Sequence, residues 1–313
     1  MEAPKINIPI NLISLSKNFS DEKVCREYLE HIIWDGSPTC PHCGHGKYYA
    51  FKDGKTYKCA SNKCNLKYNI KIGTFLEGTK LPLCKWLHAL YVFTSHKKGI
   101  SSHQLGRDLG ITQKSAWFML SRIREILREK APLMVSGTVE IDETYYGGLE
   151  RNKHKSKIKR RSTGHAVDLK IPILGIVQRG GKAMLIPIPD TTDKVIHPII
   201  EKSVVQGSWI VTDTANVYKR LNDNFWHKSI NHTTGEYVRE RWHTNTVEGL
   251  FSHIKRGIYG IYHHASPKHL EKYCNEFSFR YNTRKCKEVE RFDIAIRQSK
   301  GRLTYANLIK KVV

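Results

Sequence analysis

Four of the eight cysteines fall in two tight pairs, Cys40-Pro41-His42-Cys43 and Cys59 with Cys64, giving the spacing C-x2-C-x15-C-x4-C. Each pair can present two thiolates from one turn, and a hairpin between the pairs brings them together as a tetrahedral site for Zn²⁺. The other cysteines, Cys25, Cys84, Cys274 and Cys286, are scattered, which reads as a metal site in a reducing compartment rather than a disulfide framework. The expected ligands are Cys40, Cys43, Cys59 and Cys64. Because the second pair is wider than the usual two-residue gap, His42 or His45 is an alternative ligand. A closed site of four thiolates leaves no coordination position for a substrate, so the zinc is expected to be structural and its binding to fold the module.

Around this module the 313 residues leave room for two or three domains. Residues 1–35 form an N-terminal segment with a short helical pattern at Val24, Tyr28, Leu29 and Ile32. The zinc ribbon is expected over 36–78 and a helical module over 79–132, with Pro132 and Gly137 marking a boundary. An α/β domain is expected over 136–290 and a C-terminal tail over 291–313. Within the α/β domain, Thr138–Tyr146, Ile171–Gln178, Ala183–Pro189 and Ser208–Thr214 read as strands. Thr192–Val204, Thr246–Ile258 and Lys268–Arg284 read as helices, which suits one central sheet.

Charge narrows the partners. Lys and Arg total 52 against 29 Asp and Glu, a formal charge of +23 spread along the whole chain. A polyanionic partner is the natural inference, and a nucleic acid touching several domains explains the spread better than one membrane-binding patch. The basic run Arg151–Arg161 is read as a loop on DNA backbone, with a solvated loop as the other reading. Met1–Ser16 has no signal-peptide pattern and no apolar run reaches about 18 residues, so no membrane is expected and a cytoplasmic location is.

Gly99–Thr112 reads as a capped helix, a glycine turn and the start of a second helix that buries Ala116, Met119 or Leu120, Ile123 and Ile126. Gln113, Lys114, Ser115, Phe118 and Arg122 fall on its open side. This is the pattern of a helix-turn-helix, whose second helix enters the major groove. A helical hairpin joining two domains is the alternative.

Two carboxylates stand where unpaired charge is costly. Asp142 lies inside the strand Val139-Glu140-Ile141-Asp142-Glu143-Thr144, and Asp213 ends the apolar strand Trp209-Ile210-Val211. Glu248 follows on a helix whose apolar stripe is Val247, Leu250, Phe251, Ile254 and Ile258. Its opposite face carries Glu248, Ser252, Lys255 and Tyr259. Acids on two strands and a helix can converge on hard cations such as Mg²⁺ or Mn²⁺, two of which stabilise the attacking and leaving oxygens of a phosphodiester displacement. Lys255 could neutralise a phosphate beside them, with Arg256 next to it as a further DNA contact. Glu140 should face the same side as Asp142 and Glu143 the other. Taken singly, each acid also fits an edge, capping or surface ion-pair role.

The blocks "VEIDETYYGG" around Asp142, "VTDTANVY" around Asp213 and "NTVEGLFSHIKRGIYGIYHH" around Glu248 and Lys255 resemble the DDE signature of bacterial insertion-sequence transposases related to the eukaryotic Merlin elements. The resemblance extends through the zinc ribbon, "GISSHQLGRDLGITQKSAWFML" and the closing "YCNEFSFRYNTR". It implies an RNase H-like catalytic domain with Asp142, Asp213 and Glu248 as metal ligands and Lys255 as a DNA-contacting lysine. It also implies terminal inverted repeats and target DNA as substrates, and a homodimer or higher assembly. The rivals are a nuclease of the same fold that cuts without joining, and a zinc-ribbon DNA-binding regulator whose catalytic domain is inactive.

Overall fold

The computed structural model describes residues 11–129, 133–147, 170–219, 221, 224–231, 235 and 238–309. The basic run 151–161 lies outside the described residues. The chain divides into two units, one running to Arg128 and resuming at Lys285, the other being Glu129–Arg284.

In the first unit, α1 (Leu12–Asn18) and α2 (Glu22–Trp34) lead into a three-stranded antiparallel sheet of β1 (Tyr48–Ala50), β2 (Tyr57–Cys59) and β3 (Lys67–Tyr68). Helices α3 (Leu83–Ser95), α4 (Ser102–Leu109) and α5 (Gln113–Ile126) follow. The turn between α4 and α5 is set by Gly110, which takes a left-handed φ of 58° to end α4, and by Thr112, whose hydroxyl accepts from the Ser115 N–H to start α5. Gly106 lets the two helices close: a Cβ there would lie 3.1 Å from the Ile111 carbonyl oxygen. Ala116, Met119, Leu120, Ile123 and Ile126 are buried, as the helical spacing predicts.

The second unit is built on a five-stranded mixed sheet. Its strands are β4 (Thr138–Tyr146), β5 (Ile171–Gln178), β6 (Ala183–Pro187), β7 (Trp209–Asp213) and β8 (Trp226–Ile230). Their order is β6-β5-β4-β7-β8. The first three form an antiparallel meander, while β7 and β8 add in parallel, β7 beside β4. This is the RNase H-like arrangement. One face carries α6 (Asp193–Ser203) over Val139, Ile141, Leu174, Ile176 and Ile210. The other carries α7 (Asn245–Gly257) and α8 (Leu270–Asn282) over Ile173, Val177 and Leu185. The edge strand β6 is covered by polar side chains of α8. The Leu185 N–H donates to Ser278 Oγ at 3.0 Å and the Ala183 N–H to Asn282 Oδ1 at 2.7 Å, so this edge is closed to other strands.

The closing residues are not a tail. They return to the first unit as α9 (Glu288–Arg297), which crosses the boundary expected at 290/291, and α10 (Tyr305–Ile309). The cause is an apolar stripe on α9. Phe292, Ala295 and Ile296 are fully buried, with the Phe292 ring 5.7 Å from Tyr91 of α3 and 6.3 Å from Tyr28 of α2. The Arg291 guanidinium donates to the Thr94 carbonyl at 2.9 Å, and the Tyr28 hydroxyl to Asp293 at 2.7 Å.

Candidate active site

Asp142 and Asp213 are set side by side by strand register. Glu140 of β4 pairs with Val211 of β7 in the parallel ladder, and each aspartate lies two residues further along its own strand. Side chains two apart share a face, so both carboxylates leave the sheet toward the layer of α7. Each is half-buried and bound to nearby backbone: Asp142 accepts from the Glu143 N–H at 2.8 Å, Asp213 from the Ala215 N–H at 3.0 Å.

What holds α7 over this point is Glu140, whose side chain is 0% exposed. Its carboxylate accepts from the N–H groups of Thr246 and Val247 at 2.8 and 3.1 Å and from the Thr246 hydroxyl at 2.8 Å. It thereby satisfies donors that the first turn of a helix leaves without intrahelical partners, and places a negative charge at the positive end of the helix dipole. Arg179 balances the charge: its Nε donates to Glu140 at 2.6 Å, and its other nitrogens donate to the carbonyls of Arg241 and His243 at 2.6 and 2.8 Å. The loop into α7 is thus tied to β4 through one buried ion pair. A carboxylate engaged this fully has no face to offer a metal.

Gly175 makes the approach of α7 possible. It sits opposite Asp142 in the antiparallel ladder, and a Cβ there would fall 2.7 Å from the Phe251 ring and 2.8 Å from Val247 Cγ2. With its apolar stripe buried, α7 exposes Glu248, Ser252 and Lys255, and the π-helical turn Ile258–Tyr262 that continues it exposes Tyr259. The first turn of the helix is held at Glu140 of β4, and further along the chain Lys255 and Tyr259 reach the Thr144–Tyr146 end of that strand, where the Tyr259 and Tyr146 rings stack 6.5 Å apart. Glu248 therefore projects from the stretch between. Its carboxylate accepts from the Thr244 hydroxyl at 3.1 Å. Among the described residues the four cysteines are the group of three or more metal-type ligands gathered within 4.8 Å, so Glu248 is not drawn in to that distance from the two aspartates. Arg256 is exposed, its Nε donating to the Ser252 carbonyl at 3.1 Å.

Two neighbours of the aspartates had only weak signals in the sequence. Glu143 points to the opposite face, as strand alternation predicts, and there accepts a short hydrogen bond from the fully buried Tyr218 hydroxyl. Burial, and then the charges of Asp142 and Asp213, push its carboxyl up to about 7, although the Tyr218 bond opposes this. Asp213, at the end of β7, also lines a cleft of about 320 Å³ with Thr214, Ala215, Lys219, His227 and Ser229. Burial holds the His227 imidazole below its usual value, and Nε2 meets the Thr212 hydroxyl at 2.9 Å.

In the ribbon, Cys40 and Cys64 Sγ lie 3.8 Å apart and Cys43 and Cys59 Sγ 3.6 Å apart. Four sulfurs about 2.3 Å from a central zinc would be separated by about 3.8 Å, so the cluster fits tetrahedral Zn²⁺. The gathered group is the four thiols, without His42 or His45. The wider second pair is accommodated by a turn in which the N–H groups of Cys64 and Asn65 both donate to the Ser61 carbonyl, with Asn65 at a left-handed φ of 50°.

On α5, Gln113 and Lys114 are exposed and Ser115 is half-buried. Arg122 differs from its expected place on the open side. It is 6% exposed, donates to the carbonyls of Leu303 and Phe75 at 3.0 and 2.9 Å, and stacks on Phe118 at 4.6 Å. The returning C-terminal residues cover the part of α5 that α4 leaves open, so this arginine fastens the unit and is not available to DNA.

An RNase H-like domain carrying aspartates on two adjoining strands, Asp142 within β4 and Asp213 at the end of β7, in one chain with a four-cysteine ribbon, defines a class of metal-ribbon α/β proteins. Comparison with known proteins narrows it. Residues 134–282 match the ISXO2-like transposase domain and residues 20–67 the transposase zinc-ribbon domain. An uncharacterised protein in the transposable element ISH50 of Halobacterium salinarum is 26% identical over 279 residues, which cover 84% of this chain and 92% of that protein. By these matches the chain carries, in order, the two domains of insertion-sequence transposases with an N-terminal zinc ribbon. A crystal structure of a pre-cleavage Mos1 transpososome aligns over 69% of this chain and 79% of that one, at 11% identity and a TM-score of 0.27, too low to bear on the fold. No described helix is long and apolar enough to cross a membrane.

Proposed function

We propose that this protein cuts the ends of its own element and joins the freed 3′-hydroxyl to target DNA, with Asp142, Asp213 and Glu248 holding two Mg²⁺ or Mn²⁺ ions. The observation that supports the reading is the placement of Asp142, in the middle of β4, and Asp213, at the end of the adjoining β7, on the sheet face covered by the helix that bears Glu248. The donor set fits hard cations. It is made of carboxylates without a soft ligand, and two aspartates on one face of adjoining strands suit a cation between them. Such ions supply charge neutralisation to both oxygens of an in-line displacement.

The chain's own residues do the rest. Glu140 and Arg179 fix the start of α7 and so set where Glu248 can reach. In this reading Glu248 leaves the Thr244 hydroxyl when it joins the two aspartates on the ions. Lys255 and Arg256, exposed on α7, neutralise phosphates next to the acids. Gln113, Lys114 and Ser115, at the start of α5, read base edges of the terminal repeats. Cys40, Cys43, Cys59 and Cys64 hold structural zinc. Bringing two ends together takes a dimer or larger assembly.

The test is incubation of purified protein and Mg²⁺ with labelled duplexes carrying the inverted repeats that flank its gene. Nicks at the repeat ends, followed by joined products, are expected from the wild type and neither from Asp213→Asn. Cutting without joining would favour the nuclease reading, and cutting unaffected by Asp213→Asn would overturn the assignment of the site.

A further inference from the structure

The zinc ribbon has two unlike faces. The register pairs Tyr48 with Cys59, Ala50 with Tyr57 and Tyr57 with Tyr68, so these residues share the inner face. That face is closed by Trp34 of α2, whose ring meets Tyr57 and Tyr68 edge-on at 5.7 and 5.9 Å. The same register aligns Tyr49, Lys58 and Lys67 across the three strands on the outer face. Phe51 joins them, since the Lys67 ammonium sits 5.0 Å from its ring centroid. Lys47, two residues before Tyr49, falls on the same side. Tyr49 is 64% exposed and Phe51 37%.

This combination is informative because a face meant only for solubility has no use for aromatic rings. Three ammonium groups and no acid among these residues suit a phosphate backbone. The exposed ring of Tyr49, and the ring of Phe51 on the face that Lys67 does not take, suit a flat apolar partner spaced between phosphates. In duplex DNA the base faces are covered by stacking and only the edges are offered, so the rings would find no partner there. In an unpaired strand every base has a free face, and stacking on an aromatic side chain is tolerant of sequence.

We infer that the outer face of the zinc ribbon, Tyr49 and Phe51 with Lys47, Lys58 and Lys67, binds unpaired nucleotides of a DNA strand. This goes beyond the transposase reading and does not depend on the acids. In that setting, melted or nicked strands at an element's end are where such nucleotides arise.

The test uses the full chain with zinc bound. Anisotropy of a labelled 15-nucleotide oligothymidine and of a 15-base-pair duplex is compared for wild type, Tyr49→Phe and the double variant Tyr49→Ala with Phe51→Ala. Stacking is lost in the double variant, so its oligothymidine affinity falls about 10-fold or more while duplex affinity changes less than about 2-fold, and Tyr49→Phe behaves as wild type. Oligothymidine binding unchanged in the double variant, or falling no more than duplex binding, overturns the proposal. Zinc content of one per chain shows that each ribbon is folded. Should the double variant lose zinc, Tyr49→Trp decides: its added emission is quenched by oligothymidine and not by duplex, and an unquenched signal overturns the proposal.

Discussion

The backbone N–H of Thr246 donates to the buried carboxylate of Glu140 at 2.8 Å, across 106 residues of sequence. Through that bond the strand bearing Asp142 holds the helix bearing Glu248, so the proposed ligands are fixed to one another by a residue that is itself no ligand.

Removing that anchor has a defined consequence. Glu140→Gln keeps an acceptor for Thr246 but leaves Arg179 without its counter-charge, and Glu140→Ala also strands the first N–H groups of α7. Losing one partner of a buried pair typically costs about 3–5 kcal/mol. Thermal or urea unfolding should show a loss of that order for Glu140→Ala and a smaller one for Glu140→Gln. Under conditions where Glu140→Gln stays folded, DNA cleavage should need about 10–100-fold more Mn²⁺. An unchanged metal requirement would show that Glu140 serves stability alone.

Gly175 tests how closely α7 must lie. A methyl there meets Phe251 and Val247 at under 3 Å, so Gly175→Ala forces the helix outward, opposite Asp142. Overpacking of this kind costs about 1–3 kcal/mol. Cleavage should fall by more than this stability loss explains, whereas full activity at a temperature where the variant is folded would show that the spacing is not critical.

The zinc site predicts a module that folds with its metal. A strong chelator should release one zinc per chain and abolish the ribbon's secondary structure, while the Glu129–Arg284 unit keeps its own melting transition. Thiols must lose protons to bind zinc, so uptake releases protons and weakens as pH falls. Cys59→Ser should bind zinc at least about 10-fold more weakly. Equal zinc content in wild type and variant would refute the four-thiolate site.

Arg122 and Lys114 should separate stability from DNA contact. Arg122→Ala leaves the carbonyls of Phe75 and Leu303 without their charged donor and should destabilise the first unit by about 2–4 kcal/mol. Lys114→Ala should leave stability within about 0.5 kcal/mol and weaken duplex binding, with a shallower salt dependence. If Arg122→Ala melted like wild type and lost DNA affinity, its burial would be wrong.

Periodicity and spacing carried most of this architecture. The cysteine spacing specified a cluster, strand alternation put Asp142 and Glu140 on one side and Glu143 on the other, and the stripe from Val247 to Ile258 gave α7 its buried face. Other features depend on what packs against a residue, which no local pattern states. β8 is a short edge strand whose Trp226, Lys228 and Ser229 are exposed, so it shows no apolar run. Arg122 looked free because the residues that cover it, around Leu303, arrive 181 positions later. Likewise the grip of Glu140 on α7 joins two segments that carry no mark of each other, and α9 was hidden by its position at the end of a different unit.

Binding of Mn²⁺ tests the central claim most directly. With zinc already in place, calorimetry or electron paramagnetic resonance should count two Mn²⁺ ions per chain in the wild type, and binding should fall at least about 10-fold in Asp142→Asn, Asp213→Asn and Glu248→Gln alike. Wild-type Mn²⁺ binding retained in all three folded variants would contradict the account.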